Sequence, residues 1–355
     1  MSKAAELAKM GEVLTNNQIG GRRNILINGA MQVAQRGTSF TSIGGTAGVY
    51  SLDRMRYGFT MNSGRLTITQ STDTPNGFAN SLKVDITTAE SSLNAASGAA
   101  LSQFLEGQDV QQFKKGTSDA EQYTLSFHVK SNITGTYIVE LFDNDNTRQV
   151  SKSYTIDSAN TWEKKTITFP ADTTGAFDDD NDKSLFVQWF LASGTNTAGS
   201  SATLNTSWAS STDANRAVGQ ANLFSSTDNE WYITGMQLEV GSVATPFEHR
   251  SFGEEKKLCE RYYFQTESQN FAGVASSVAR LICGYRIPDM RATPSFAFIS
   301  YNGTSSRLSR ATNNADTEFA NASVTSLNGF YQIISSSTFI AGEGYFAQLK
   351  CESEL

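Results

Sequence analysis

The chain has 355 residues, 39% apolar and 18% charged, with 35 acidic against 28 basic side chains and a net charge of −7. Two domains are the expectation at this length, and the acidic balance argues against a nucleic-acid partner, which needs clustered Lys and Arg to neutralise phosphates. No apolar run approaches a membrane span and the opening MSKAAELAKM is too charged for a signal peptide, so export is expected through lysis or assembly.

Residues 2–14 hold the one clear helical pattern near the start. Ala4, Leu7, Ala8, Gly11 and Leu14 form a narrow stripe flanked by Lys3, Glu6, Lys9 and Glu12. A helix this short is marginal alone in water and needs a partner, its own copies or another protein. Asn16 to Arg23, polar and Gly-rich, reads as a hinge.

From Asn24 the period changes to two. Leu66/Ile68, Leu82/Val84/Ile86, Tyr123/Leu125/Phe127/Val129, Tyr137/Val139/Leu141 and Ile167/Phe169 alternate between turn clusters such as Thr74-Pro75-Asn76-Gly77 and Asp143-Asn144-Asp145-Asn146. Ser184 to Leu191 is apolar on both faces, as a central strand covered on both sides would be. Repeated short strands over some two hundred residues predict two packed antiparallel sheets. The small, polar stretch Ser193 to Gly219 reads as a surface excursion.

Trp231 to Val240 reads as the closing strand of this sandwich. Trp231 and Ile233 alternate, Gly235 interrupts, and Met236, Leu238 and Val240 resume, which predicts a bulge at the glycine. Gly241 and Pro246 end the strand, and Ser251 with Glu254 makes a capping box for a short helix. Beyond it the β pattern returns in Val278/Arg280/Ile282, Phe296/Phe298, Phe330/Gln332/Ile334 and Tyr345/Ala347/Leu349/Cys351. Residues 1–21, 22–250 and 251–355 are thus expected to be a docking segment, a sandwich and a smaller β-rich domain.

Two strings carry a family resemblance. Met236-Gln237-Leu238-Glu239-Val240-Gly241-Ser242-Val243-Ala244-Thr245-Pro246-Phe247, followed by Cys259-Glu260-Arg261-Tyr262-Tyr263, resembles the closing signature of a jelly-roll module of bacteriophage tail fibres and related virion proteins. Asn24 to Gly37 (NILINGAMQVAQRG) resembles the module's opening. The resemblance implies an all-β chain, a jelly-roll sandwich followed by the smaller C-terminal β domain. It implies attachment to surface glycans of a bacterial host, a place on the particle exterior after assembly in the host cytoplasm, and other tail or virion proteins as partners. A homotrimer is expected from the fibre resemblance and from a terminal domain with aromatics on both strand faces. Residues 1–20 are the segment expected to dock on the particle. A structural collar, nozzle or head-decoration role and a polysaccharide depolymerase are the two competing readings.

Site chemistry is sparse. Trp208, away from any strand pattern, offers a flat apolar face for a sugar and an indole N–H for a hydroxyl, weighed against a role as loop anchor. Trp162 and Trp231 are expected in the core, and strand-core packing is favoured for Tyr301 and Tyr331. Asp178, Asp180 and Asp182 alternate as in a calcium loop, but Lys183 and Trp189 stand where a turn glycine and a bidentate glutamate belong. The module also resembles carbohydrate-binding jelly rolls with a structural calcium; here Gln32 and Thr234-Gly235 replace the acidic ligands that resemblance implies. No metal or cofactor is therefore expected. His128 and His249 lack a serine elbow, so no catalytic group is assigned. Cys259, Cys283 and Cys351 have no framework spacing and are expected to be buried free thiols.

Overall fold

A computed structural model describes residue 3, residues 22–46, 48–267 and 269–318, the strand Phe330–Ile334 and residues 339–355. Ala4, Leu7, Ala8, Gly11 and Leu14 lie outside the described residues. The chain divides into two compact units, Met1–Glu255 and Lys256–Leu355.

The first unit is a jelly-roll sandwich of two antiparallel sheets. One sheet takes β1 (Ser39–Gly44), β4 (Arg65–Ser71), β5 (Ser81–Thr88), β13 (Glu230–Val240), β7 (Tyr123–Ser131) and β10 (Glu163–Phe169), in that spatial order. The other takes β12 (Ala209–Ser210), β9 (Arg148–Ile156), β8 (Gly135–Asp143), β11 (Lys183–Ser193), β6 (Gly98–Glu106), β3 (Arg56–Thr60) and β2 (Val49–Tyr50). The alternation read in the sequence decides the inner faces: Leu82, Val84 and Ile86 of β5 meet Leu125, Phe127 and Val129 of β7 and Trp231 and Ile233 of β13 in one core. Opposite them, β11 supplies Leu185, Val187, Trp189 and Leu191. The register of β13 on β7 shifts between Thr234 and Gln237, and Gly235 sits in the shift at φ +63°. A Cβ there would come within 2.6 Å of the Phe78 ring, so the bulge requires glycine.

A helix, Phe252–Glu260, begins at the predicted capping box. Ser251 N donates to the Glu254 carboxylate (3.0 Å), and Glu254 N donates back to Ser251 Oγ (3.3 Å).

The second unit is built on β21 (Gly344–Glu352), whose Tyr345, Ala347, Leu349 and Cys351 are buried. Its sheet runs β19 (Asp316–Glu318), β18 (Arg307–Arg310), β21, β15 (Phe271–Ser277), β16 (Arg280–Tyr285) and β20 (Phe330–Ile334). β14 (Tyr263–Gln265) and β17 (Ser295–Ile299) pair farther along β21. Tyr301 departs from the expectation: it lies past the end of β17, 61% exposed. Tyr331 is in β20, and its side chain is outside the described residues. Val278 is not in a strand but in the β15–β16 turn, 60% exposed. Cys259 and Cys351 are buried and in no disulfide among the described residues, and burial pushes the Cys351 thiol up to about 12.

Candidate functional site

The outer face of the seven-stranded sheet is built by register. On β11 the side chains between the core positions, Phe186, Gln188 and Phe190, turn outward. Phe186 stands opposite Phe104 of β6 and opposite Phe142 of β8, so three phenylalanines from three adjacent strands form one row. Phe142 and Phe186 are stacked (centroids 4.8 Å apart, planes at 18°), and Phe104 meets Phe186 edge-on at 5.3 Å. The next row is polar: Arg56, Ser102, Gln188, Glu140 and Ser151 oppose one another across β3, β6, β11, β8 and β9. The third row, Ala100, Phe190 and Ile138, is roofed by Leu204 and Ala217 of the Ser193–Gly219 excursion. Phe142 and Phe186 stay half-buried, with ring surface left to solvent.

Cations border the Phe row. Lys183 Nζ is 4.9 Å from the Phe104 centroid and 5.7 Å from that of Phe186; the Arg56 guanidinium is 5.3 Å from Phe104, and Arg216 lies 4.9 Å from Phe142. Arg216 also grips Glu140 with two bonds, Nε to Oε1 at 3.0 Å and Nη2 to Oε2 at 2.7 Å. Burial pushes the Glu140 carboxyl up against that pull. An apolar strip edged by cations, an amide and a hydroxyl can hold the C–H face of a sugar and hydrogen-bond its rim.

The opposite outer face, on the six-stranded sheet, carries a second aromatic cluster. Tyr232 of β13 lies 6.0 Å from Trp162, and Lys130 Nζ sits 4.2 Å from the Tyr232 centroid and 5.6 Å from that of Trp162. Both lysines of this cluster have a carboxylate. Lys130 pairs with Asp73, and Lys83 with Glu230 (2.7 Å) and Asp85 (3.2 Å). The bond from Lys130 holds the Asp73 carboxyl below its usual range. Trp162 was expected in the core. It is half-buried on this face instead, because β10 begins only at Glu163 and Trp162 falls on the outward side of the alternation, donating its indole N–H to Asp73 at 2.9 Å.

Trp208 stands elsewhere, half-buried beside the core. Its N–H is already donated to the Pro170 carbonyl (2.8 Å), its ring leans on Tyr123, and Lys115 Nζ lies 5.4 Å from its centroid. That ammonium is fully enclosed, with Asp143 at 2.6 Å, Asp172 at 3.1 Å and the carbonyls of Thr174 and Gly175 at 2.8 and 2.6 Å. Arg148 adds a bidentate grip on Asp172, whose carboxyl burial pushes up but whose two cationic partners hold low. The geometry of Trp208 is that of an anchor over an internal ion cluster.

The two signature strings form a seam with each other. Ile25 N donates to Leu238 O (3.0 Å), Met236 N to Gly29 O (3.0 Å), and Asn24 Nδ2 to Met236 O (3.0 Å). A Cβ on Gly29 would stand 2.2 Å from Met236 O, so this close approach admits glycine alone. Gln237 and Glu239 are buried and bind the turn that follows: Glu239 accepts from Thr245 N (2.9 Å) and Oγ1 (2.7 Å), and Gln237 Oε1 from Glu248 N (2.8 Å). Asn24, Gln237 and Glu239 thus close the sandwich with their side-chain polar groups bonded within it.

His128 and His249 join Phe78 and Phe247 around the Gly235 bulge. His128 Nδ1 is buried without a partner, and burial, then Lys164, pushes its pKa down. Asp180 accepts from the Asp182 amide within an exposed acidic turn, and Asp145 from the Asp178 amide. Among the described residues no group of three His, Cys, Asp or Glu stands close enough to share a metal ion.

No family model matches the chain, and no curated protein matches it. Its solved structural likenesses are remote. The enzymatically active domain of tailspike protein 4 of bacteriophage CBA120 shares 14% identity at a TM-score of 0.31, covering 61% of this chain and 21% of that one, so this chain spans about a fifth of that structure. A putative sugar-binding protein from Bacteroides thetaiotaomicron shares 14% over 61% of this chain and all of its own length, at a TM-score of 0.33. A family 11 carbohydrate-binding module from Clostridium thermocellum, solved with a mixed-linked tetrasaccharide, shares 11% over 59% and 99%, at 0.30.

Proposed function

We propose that the chain is a non-catalytic glycan-binding subunit of a phage particle, a tail fibre or related appendage, and that the outer face of the seven-stranded sheet is its binding surface. The observation that carries the glycan reading is the in-register row Phe104–Phe186–Phe142 beside the polar row Arg56–Ser102–Gln188. The phage reading rests on the resemblance of the Asn24–Gly37 and Met236–Phe247 strings to a virion module. Trp208 is left out, since its N–H is committed to Pro170.

The test is binding of the full chain to host-surface polysaccharide, with Phe186→Ala and Phe142→Ala as variants. Each truncation should weaken binding about tenfold, the loss of roughly one stacking contact, while the melting profile stays cooperative. Undiminished binding would move the site off this face, and release of reducing ends from the polysaccharide would replace the reading with a depolymerase. Assembly is part of the proposal: a homotrimer of about three times 38.5 kDa in light scattering, and residues 2–20 required for incorporation into the virion but not for solubility.

A further inference from the structure

Two of the three cations over the Phe row, Arg56 and Lys183, differ in one respect from four other cations of the sandwich. Lys83, Lys115, Lys130 and Arg216 all lie near aromatic rings, and each has a carboxylate at ion-pair distance. Arg56 and Lys183 also converge on a ring, at 5.3 and 4.9 Å from the Phe104 centroid. Among the described residues neither has an ion pair, and the like charge of Arg56 acts on Lys183. Acidic side chains outnumber basic ones in this chain by 35 to 28, so a shortage of carboxylates is not the reason.

The arrangement costs the folded state something. Burial, then the Arg56 charge, pushes the Lys183 ammonium below its usual pKa, whereas a partnered surface lysine goes the other way, as Lys83 does beside Glu230 and Asp85. The quadrupole of Phe104 offsets part of that repulsion, but one ring cannot neutralise two cations. An anion between them would.

We infer that the glycan bound by this face is acidic, its anionic substituent seated between Arg56 and Lys183 above Phe104 while its ring lies along Phe186 and Phe142; the inference rests on the glycan reading above. The division of labour follows from the side chains. Arg56 offers a planar fork suited to both oxygens of a carboxylate, and Lys183 a compact point charge. The two stand at the Phe104 end of the row, so a negatively charged residue of the polymer would be placed there, with its neighbour over Phe186.

The experiment uses the full chain and a panel of acidic bacterial surface polysaccharides, each presented native and after carboxyl reduction, with sulfated and unsulfated dextran as a second pair. The native polymers should bind at least tenfold tighter than their reduced forms, with affinity falling as salt rises. In Arg56→Met/Lys183→Met, which keeps apolar cover over Phe104, that ratio should fall to about one; Arg56→Lys/Lys183→Arg should keep most of it. Preference for the sulfated dextran over every carboxylated polymer would identify a sulfate as the anion and sustain the inference. Equal binding of native and reduced forms, still sensitive to Phe186→Ala, would overturn the acidic ligand and leave the glycan reading standing. So would a preference that survives in the double Met variant. Binding to no member of the panel would overturn both.

Discussion

The two outer faces of the sandwich are made from the same materials, lysines and arginines over aromatic rings, and differ in where the carboxylates stand. On the six-stranded sheet Lys83 reaches Glu230 on the neighbouring strand and Asp85 on its own, Lys130 reaches Asp73 beyond the end of β4, and Trp162 is tied to the same Asp73. On the seven-stranded sheet Arg56 and Lys183 share a ring, and among the described residues neither has an ion pair. A closed charge network spends its directional capacity on the protein, whereas an open one keeps it for a ligand. The Lys115 cluster is the extreme of closure, with four oxygens around one ammonium and no solvent.

That contrast is testable through stability. The largest effect is expected at the closed extreme: Lys115→Met leaves Asp143 and Asp172 buried with one cation fewer, which should cost ~3–5 kcal/mol in denaturant unfolding. A loss under about 1 kcal/mol would mean the cluster is hydrated and the contrast is one of degree.

A smaller effect is expected from His128, at the bulge end of the six-stranded face. Its pKa is depressed in the folded chain from 6.5, so the unfolded chain binds the proton more readily, and stability should rise with pH through that region and drain as pH falls below 6.5. His128→Leu should flatten the difference in melting temperature between pH 7.5 and pH 5. An unchanged slope would assign the acid sensitivity to carboxylates.

The smallest effect is expected on the closed outer face. Lys130→Met removes an ion pair with a half-exposed Asp73 and a contact with the Tyr232 ring, worth about 0.5–1 kcal/mol of stability. It should leave polysaccharide binding where it was. Loss of binding in this variant would show that the two faces had been assigned the wrong way round.

What the sequence by itself determined was whatever depends on neighbours along the chain. Alternation in Tyr123–Val129 and in Tyr345–Cys351 decides which side chains enter the cores, because a strand turns every second residue to the same side. Gly235 announces its bulge and Ser251 with Glu254 their helix start for the same local reason. Even the Phe row left a trace, since Ser184 to Leu191 is apolar on both faces and so had to cover something outside the core. What only the tertiary structure decided was which distant strands lie beside β11, and in what register. Phe104, Phe142 and Phe186 come from three strands with no common spacing, and nothing local predicts that they meet. The same holds for Trp162, sent to the surface because β10 begins one residue later, and for Trp208, held by a carbonyl that the fold brings from Pro170. Whether a cation is paired depends on distances across the sheet, and those are set by strand order.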